Sequence, residues 1–403
     1  SEGCLAGMAG DEDRSRRLGD LDSSHPSNWA WGAGDAVPHV LLLLYALPGH
    51  LADWRRSLEA ELASGFTLQA ELDTADLAGR EPFGFRDGLS QPEVDWDRRR
   101  PVEDRDRLEY GNLTCLGEFL LGYPNEYGLY TDRPLLDPGR DPGVLLPRAE
   151  DRPELADLGR NGSYLVLREL RQDVAGLWRW LAQQASGDLD RARDWAEAMV
   201  GRKLDGRTRI PGARGLNGFD YAADPEGLHC PFGAHIRRAN PRNADYPAGT
   251  RGILARVRRF LGFDAGALSG DLVASTRFHR ILRRGRAFGT PPAPEQALAE
   301  PPPTAGTGLH FICLGANIGR QFEFVQSAWI QGTRFAGLPG EGDPLLGHRL
   351  PGPDGAPSDC FSIPRADGSD QRLCGLPHFV EVRGGGYFFL PGIRALRYMT
   401  RPR

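Results

Sequence analysis

Lysine is almost absent from this 403-residue chain: Lys203 stands alone, and the remaining basic residues are arginines. Schiff-base chemistry and P-loop phosphate binding both need a lysine amine, and Gly201-Arg202-Lys203-Leu204-Asp205-Gly206 matches the spacing of neither. No Cys-x-x-Cys pair occurs among Cys4, Cys115, Cys230, Cys313, Cys360 and Cys374, which excludes a zinc ribbon, an iron–sulfur cluster and a c-type haem attachment site. A chain of this size needs no disulfide framework, so reduced thiols and a cytoplasmic location are expected. Long apolar runs are also missing. Val37 to Leu47 is interrupted by Pro38 and His39 and is too short to span a bilayer, and Ser1 to Asp20 is too polar for a signal peptide. With a net charge of −5, neither nucleic acid nor an anionic membrane is an expected partner, since both call for clustered positive charge.

What is present suits a two-domain globular protein, with 40% hydrophobic and 26% charged residues. Val40 to Ala46 reads as a buried strand, Leu51 to Ala63 as an amphipathic helix, and Thr67 to Leu72 as a half-buried strand. Strand–helix–strand is half of a ferredoxin-like unit, whose first half would lie upstream of Ser1. Residues 80–160 are loop-rich. Tyr164 to Leu170 follows as a strand, then helices over Val174 to Gln184 and Leu189 to Val200 with Gly201 as a stop. The return of Gly, Pro and Asn after Asp205 places a domain boundary there, giving domains 1–204 and 205–403. Later elements are a strand beginning at Phe278, a proline-rich excursion over Pro291 to Gly308, a strand from Leu309 to Gly315, an amphipathic helix over Arg320 to Trp329, and a last strand at Tyr387 to Leu390.

Two segments carry chemistry. Gly84-Phe85-Arg86-Asp87-Gly88 sets a carboxylate in a glycine-bracketed turn. His229 and His235 flank the Cys230-Pro231-Phe232-Gly233-Ala234 corner, and either imidazole is available to a metal. Arg237, Arg238 and Arg242 follow closely and can neutralise the carboxylates of an anionic cofactor. Arg283, Arg284 and Arg286 form a second basic group, near His279. Leu309, Phe311 and Cys313 share one face of their strand. A metal-bound imidazole normally donates its second ring proton to an acid; Asp343 and Glu323 are the candidates, with Asp343 ranked first.

Spelled and ordered this way, these segments resemble the dye-decolourising peroxidase family of haem enzymes. The similarity runs from about Leu18 to the end, through Gly117 to Tyr123 and Gly385 to Phe389. It implies an α+β fold of two ferredoxin-like domains, the first incomplete at its N-terminus, with strand edges and apolar surface left exposed. It implies one haem b per chain with iron on His235, Asp87 as acid–base catalyst and Arg283 as the cation for O–O cleavage. Arg237 and Arg242 would meet the propionates, Leu309 and Phe311 the open haem face, and Asp343 the axial histidine. Hydrogen peroxide and an organic one-electron donor, such as a dye or phenol, would be the substrates, with a homo-oligomer left open. Donors too large to pass Leu309 and Phe311 would be oxidised at the surface through Trp329 or Tyr387. The alternatives are a haem-handling protein with little turnover, and a haem-free hydrolase using Asp87 and a histidine on a divalent metal; the lack of a His-x-x-x-His cluster counts against the second.

Overall fold

The computed structural model describes residues 4–5, 7–99, 111–242, 275–298, 306–352 and 355–401. Part of the expected proline-rich excursion, 299–305, lies outside the described residues. The centre is a five-stranded antiparallel sheet. In spatial order it contains β7 (Val380–Leu390), β1 (Ser163–Gln172), β4 (Gly308–Gly315) and β2 (Leu282–Arg283), with β3 (Arg286–Phe288) also pairing β4. Strand β1 is buried on both faces. Tyr164 and Val166 pack with Cys313, Phe322 and Tyr387, while Leu165 and Leu167 pack with Trp31 and Ile312 on the other side.

β1 precedes residue 205, and both its neighbours follow it, so the sheet draws on both sides of the expected boundary. Strand β7 runs straight through the glycines expected to precede it. A Cβ on Gly384 would lie 2.4 Å from Trp31 Nε1, and one on Gly385 2.5 Å from Met8 Sδ, so close packing of the N-terminal segment excludes side chains there. The strand expected from Phe278 is instead a 3₁₀ turn over Ser275–His279 that leads into the short β2.

The helices largely follow the local signals. Helix α1 spans Glu12–Leu18 and α2 spans Leu51–Leu62. Asp173 caps α3 (Val174–Gln184) by accepting from Gly176 N–H, and Asp188 caps α4 (Leu189–Val200) through Arg191 N–H. Gly201, at φ 92°, closes α4 in the left-handed conformation. Leu177 and Leu181 of α3 are fully buried against Phe83 and Phe85, at roughly 1.5–3 kcal/mol per side chain. The helix expected at Arg320–Trp329 is present over residues 319–330, wound mostly with π geometry.

Two expected strands are not formed. Residues 40–46 and 67–72 join no ladder, and Val40, Leu42, Tyr45, Leu47, Phe66 and Leu68 are exposed. Only Leu41 and Leu72 reach the sheet, packing beside Trp31. An apolar run becomes a strand only when a neighbour completes its hydrogen bonds, and the described residues supply none. Helix α2 is likewise present but buries none of its residues. The expectation of six reduced thiols is also corrected: Cys360 and Cys374 form a disulfide at facing positions of the hairpin β5 (Cys360–Pro364) and β6 (Asp370–Cys374). Among the described residues no helix is long and apolar enough to cross a membrane.

Candidate active site

His235 begins the short helix α5 (His235–Ala239), just after a turn in which Ala234 N–H donates to Pro231 C=O. Arg238, fully buried one turn along, holds this helix in place. Its guanidinium donates to the carbonyls of Gly233, Trp329, Gly332 and Glu341, joining α5 to the end of the 319–330 helix and to the loop carrying Asp343. Burial lowers its pKa to about 10, which still leaves it charged at neutral pH.

Asp343 is completely buried and lies behind His235. Its Oδ1 accepts from Leu345 and Leu346 N–H, both at 2.9 Å, and its Oδ2 is 2.9 Å from His235 Nδ1. Burial alone would raise this carboxyl, but His235, the Arg238 charge and the backbone donors outweigh it and hold the pKa below the usual range. An ionised carboxylate can only accept, so Nδ1 carries a proton, and it is Nε2 whose lone pair a metal would take. Glu323, the other candidate, is turned elsewhere: it pairs with Arg14 and accepts from the Tyr387 hydroxyl.

His235 lines a large cavity enclosing about 1620 Å³ of space free of protein atoms, part of it open to solvent. Asp87, Arg283, Leu309 and Phe311 line the same cavity. Asp87 owes its place to the backbone of its turn: Gly84 and Gly88 have φ of 103° and 77°, which side chains disfavour. Glu81 organises the loop, accepting from Phe83 and Phe85 N–H and from Gln172 Nε2. Burial pushes the Glu81 pKa up against those hydrogen bonds. Arg283 Nη1 lies 3.5 Å from Asp87 Oδ1, and both side chains are 30% exposed. The Arg283 backbone N–H donates to Gln91 Oε1, which ties β2 to the segment after the Asp87 turn. The structure thus brings together five residues singled out from the sequence, with Asp343 behind the histidine.

Other expected residues are placed elsewhere. Arg237 and Arg242 are buried but do not line the cavity. Arg237 is held by Asp224 and Cys230 C=O, and Arg242 by the carbonyls of Asn217 and Phe219. Their guanidiniums anchor the 217–230 loop, so the propionate contact expected of them is not what this geometry offers. The cavity's own arginines besides Arg283 are Arg86, Arg202 and Arg280. Arg202 and Arg280 were missed because nothing in their local sequence distinguishes them from other arginines. Arg284 and Arg286 turn back onto neighbouring carbonyls outside the cavity. His229 is exposed and away from it. His279 does line it, stacked 3.6 Å from Phe324 with Trp329 edge-on, and its Nδ1 contacts Arg320 C=O.

The donor set limits what the cavity can hold. Among the described residues there is no group of three or more metal-ligating side chains. Leu309, Phe311, Val325, Ile330 and Leu345 supply apolar walls for a flat organic group, and arginines supply charge at its edge.

No protein-family model matches the chain. It is 28% identical over 419 residues to dye-decolorizing peroxidase msp1 of Mycetinis scorodonius, covering 95% of this chain and 70% of that protein. It is also 28% identical to the multifunctional dye peroxidase DyP2 of an Amycolatopsis species, covering 92% of this chain and 73% of that one. Among solved structures, an ancestral D-type dye-decolorizing peroxidase superimposes with a TM-score of 0.66 at 23% identity, over 98% of this chain and 80% of that one. A dye-decolorizing peroxidase solved with 2,6-dimethoxyphenol gives 0.64 at 22% identity, over 97% and 78% of the two chains. These structures share the α+β fold expected from the sequence.

Proposed function

We propose that this chain, which belongs to the dye-decolourising peroxidase family, binds one haem b in the cavity beside His235 and uses hydrogen peroxide to oxidise dyes, phenols or other one-electron donors. The observation that carries the proposal is the His235 imidazole, backed by a buried, ionised Asp343 and facing a cavity that also holds the Asp87–Arg283 pair. His235 Nε2 would bind the iron, and the negative charge on Asp343 would strengthen that bond by raising the basicity of the imidazole. Bound haem supplies the iron centre at which peroxide is cleaved. Asp87 would take a proton from the nearer peroxide oxygen and return it to the farther one, the transfer that lets water leave. The Arg283 guanidinium would stabilise the negative charge that builds on the departing oxygen. Leu309 and Phe311 would restrict the space above the iron to small oxidants, so bulky donors would give up electrons from outside. Of the other arginines lining the cavity, Arg202 donates to the carbonyls of Gly206 and Leu216 and Arg280 to those of Gly111 and Asn112, which leaves Arg86 as the candidate for a haem propionate.

The test is a haem titration of the purified protein followed by peroxide addition. A Soret band that forms with one equivalent and shifts on adding peroxide supports the proposal, together with turnover of a dye or phenol. The His235→Ala protein must lose that band. Haem binding without donor oxidation would favour a haem-handling protein instead.

A further inference from the structure

The loop that carries Asp343 is held from two sides. On one, Asp343 N–H donates to Ile330 C=O and Glu341 N–H to Thr333 C=O, which ties the loop to the end of the 319–330 helix. On the other, the Glu341 side chain reaches the hairpin of β5 and β6. Its Oε2 accepts from Ser362 N–H at 2.9 Å and its Oε1 from the Ser362 hydroxyl, with Arg372 at 3.6 Å from that second oxygen. Glu341 is completely buried, and the proposed reaction gives it no part. Burying a carboxylate is costly unless hydrogen bonds and charge offset the lost water. Here the Ser362 donors do so, together with the charges of Arg372 and Arg238.

The same hairpin also supports the histidine. Phe361, next to Ser362 and fully buried, packs on the turn before His235: a Cβ on Gly233 would lie 3.2 Å from its ring. The Cys360–Cys374 bond closes the hairpin beside these two residues. Neighbouring positions of one strand thus bear on both members of the His235–Asp343 pair. Phe361 backs the turn that presents the ring, and Ser362, through Glu341, holds the loop that presents the carboxylate.

The spacing of that pair decides a chemical property. Which ring nitrogen carries the proton follows from the hydrogen bond the ring makes. At 2.9 Å, Asp343 Oδ2 holds a proton on Nδ1. A loop displaced by about 1 Å leaves no hydrogen bond, and the proton is then free to move to Nε2, the nitrogen that faces the cavity.

We propose that Glu341 is a positioning residue for His235: by tying the Asp343 loop to the β5–β6 hairpin, it keeps the imidazole proton on Nδ1 and leaves Nε2 bare. The tautomer belongs to the haem-free chain; only its use by iron rests on the peroxidase reading.

Nitrogen NMR of the haem-free protein reads the tautomer in mildly alkaline solution, with isotope-labelled histidine rings and His235 assigned from His235→Ala. The wild type should show a protonated Nδ1 and a bare Nε2. Glu341→Ala should show the proton wholly or partly on Nε2. Glu341→Gln should restore the wild-type pattern, because its oxygen can accept from Ser362 N–H while its NH₂ donates to the Ser362 oxygen. Leu146→Ala, in a separate part of the core with Ala156 and Ala395, should lower the unfolding temperature and keep the pattern. The proposal is overturned by a wild type without that pattern, by an unchanged pattern in a folded Glu341→Ala protein, or by the same change in Leu146→Ala. If Glu341→Ala does not fold, Ser362→Ala takes its place: without the hydroxyl donor some Nε2-protonated ring should appear, and its absence overturns the proposal. With haem supplied, Glu341→Ala should bind it about tenfold more weakly than the wild type, the lower end of what losing a ligand's supporting partner costs, and Glu341→Gln should bind it equally well. A wild type that takes up no haem would sink the peroxidase reading, whereas the haem-free spectra judge Glu341 by themselves.

Discussion

Asp343→Asn separates the charge behind His235 from the shape around it. In the native chain Asp343 Oδ1 receives two backbone N–H groups and Oδ2 receives His235 Nδ1–H. Alanine would leave all three donors without an acceptor, at ~1–3 kcal/mol for each buried group, and would confuse unfolding with loss of function. Asparagine keeps an oxygen for the Leu345 and Leu346 amides but turns an NH₂ toward His235. Two donors cannot face each other, so the imidazole must shift its proton to Nε2 and lose the lone pair that would meet a metal. Loss of such a partner typically weakens metal binding by about 10- to 100-fold, or about 1.4–2.7 kcal/mol. The assay is haem titration of the wild type and Asp343→Asn by Soret absorbance, with thermal unfolding of the haem-free proteins as the control. Glu323→Gln, whose native carboxylate serves Arg14 and Tyr387, should bind haem as the wild type does. An asparagine variant that folds normally and binds haem with wild-type affinity would refute the assigned role of Asp343. Acid gives a second check. A carboxylate with a depressed native pKa stabilises the fold above its unfolded value of about 4, and that contribution is lost as pH falls through the native value. The haem-free wild type should therefore lose more stability than Asp343→Asn on acidification below about pH 4.

Three further outcomes follow from the geometry. Asp87→Asn and Arg283→Leu should retain haem while slowing peroxide consumption by about 10²–10⁴-fold and 10²–10³-fold respectively, measured by stopped-flow absorbance; wild-type rates in either would remove that residue from the chemistry. Trp329 lines the cavity and is partly exposed, whereas Tyr387 is buried with its hydroxyl on Glu323, so Trp329→Phe should selectively reduce dye oxidation and Tyr387→Phe should not; parallel dye and small-phenol turnover decides this. Glu118, buried with Arg320 and Glu126, has its pKa pushed up to about 7, chiefly by burial. Its native form therefore holds a proton that the unfolded chain releases from about pH 4.3 upward, so Glu118 lowers stability as pH rises toward 7. In Glu118→Gln that part of the slope should disappear from denaturant titrations run between pH 5 and 7; an unchanged slope would mean the carboxyl is already ionised.

Local signals were legible wherever a short stretch of chain satisfies itself. The Asp caps and Gly201 delimit α3 and α4, the glycines around Asp87 require their turn, and the alternation in β4 directs Leu309 and Phe311 to one face. His235, Asp87 and Arg283 stood out because each lies in a distinctive local run. Tertiary structure decided what depends on partners distant in sequence. Residues 40–46 read as a strand, but a strand exists only beside another strand, and no ladder forms there among the described residues. Arg237 and Arg242 are indistinguishable in sequence from cavity cations, yet the carbonyls of the 217–230 loop claim them, whereas Arg202 and Arg280 reach the cavity from unremarked positions. The choice of Asp343 over Glu323 was made by a 2.9 Å contact between residues 108 apart in the chain. Composition and periodicity describe what a segment does with its near neighbours; which buried charge meets which donor is settled only when distant segments pack, because burial makes each such group find a partner.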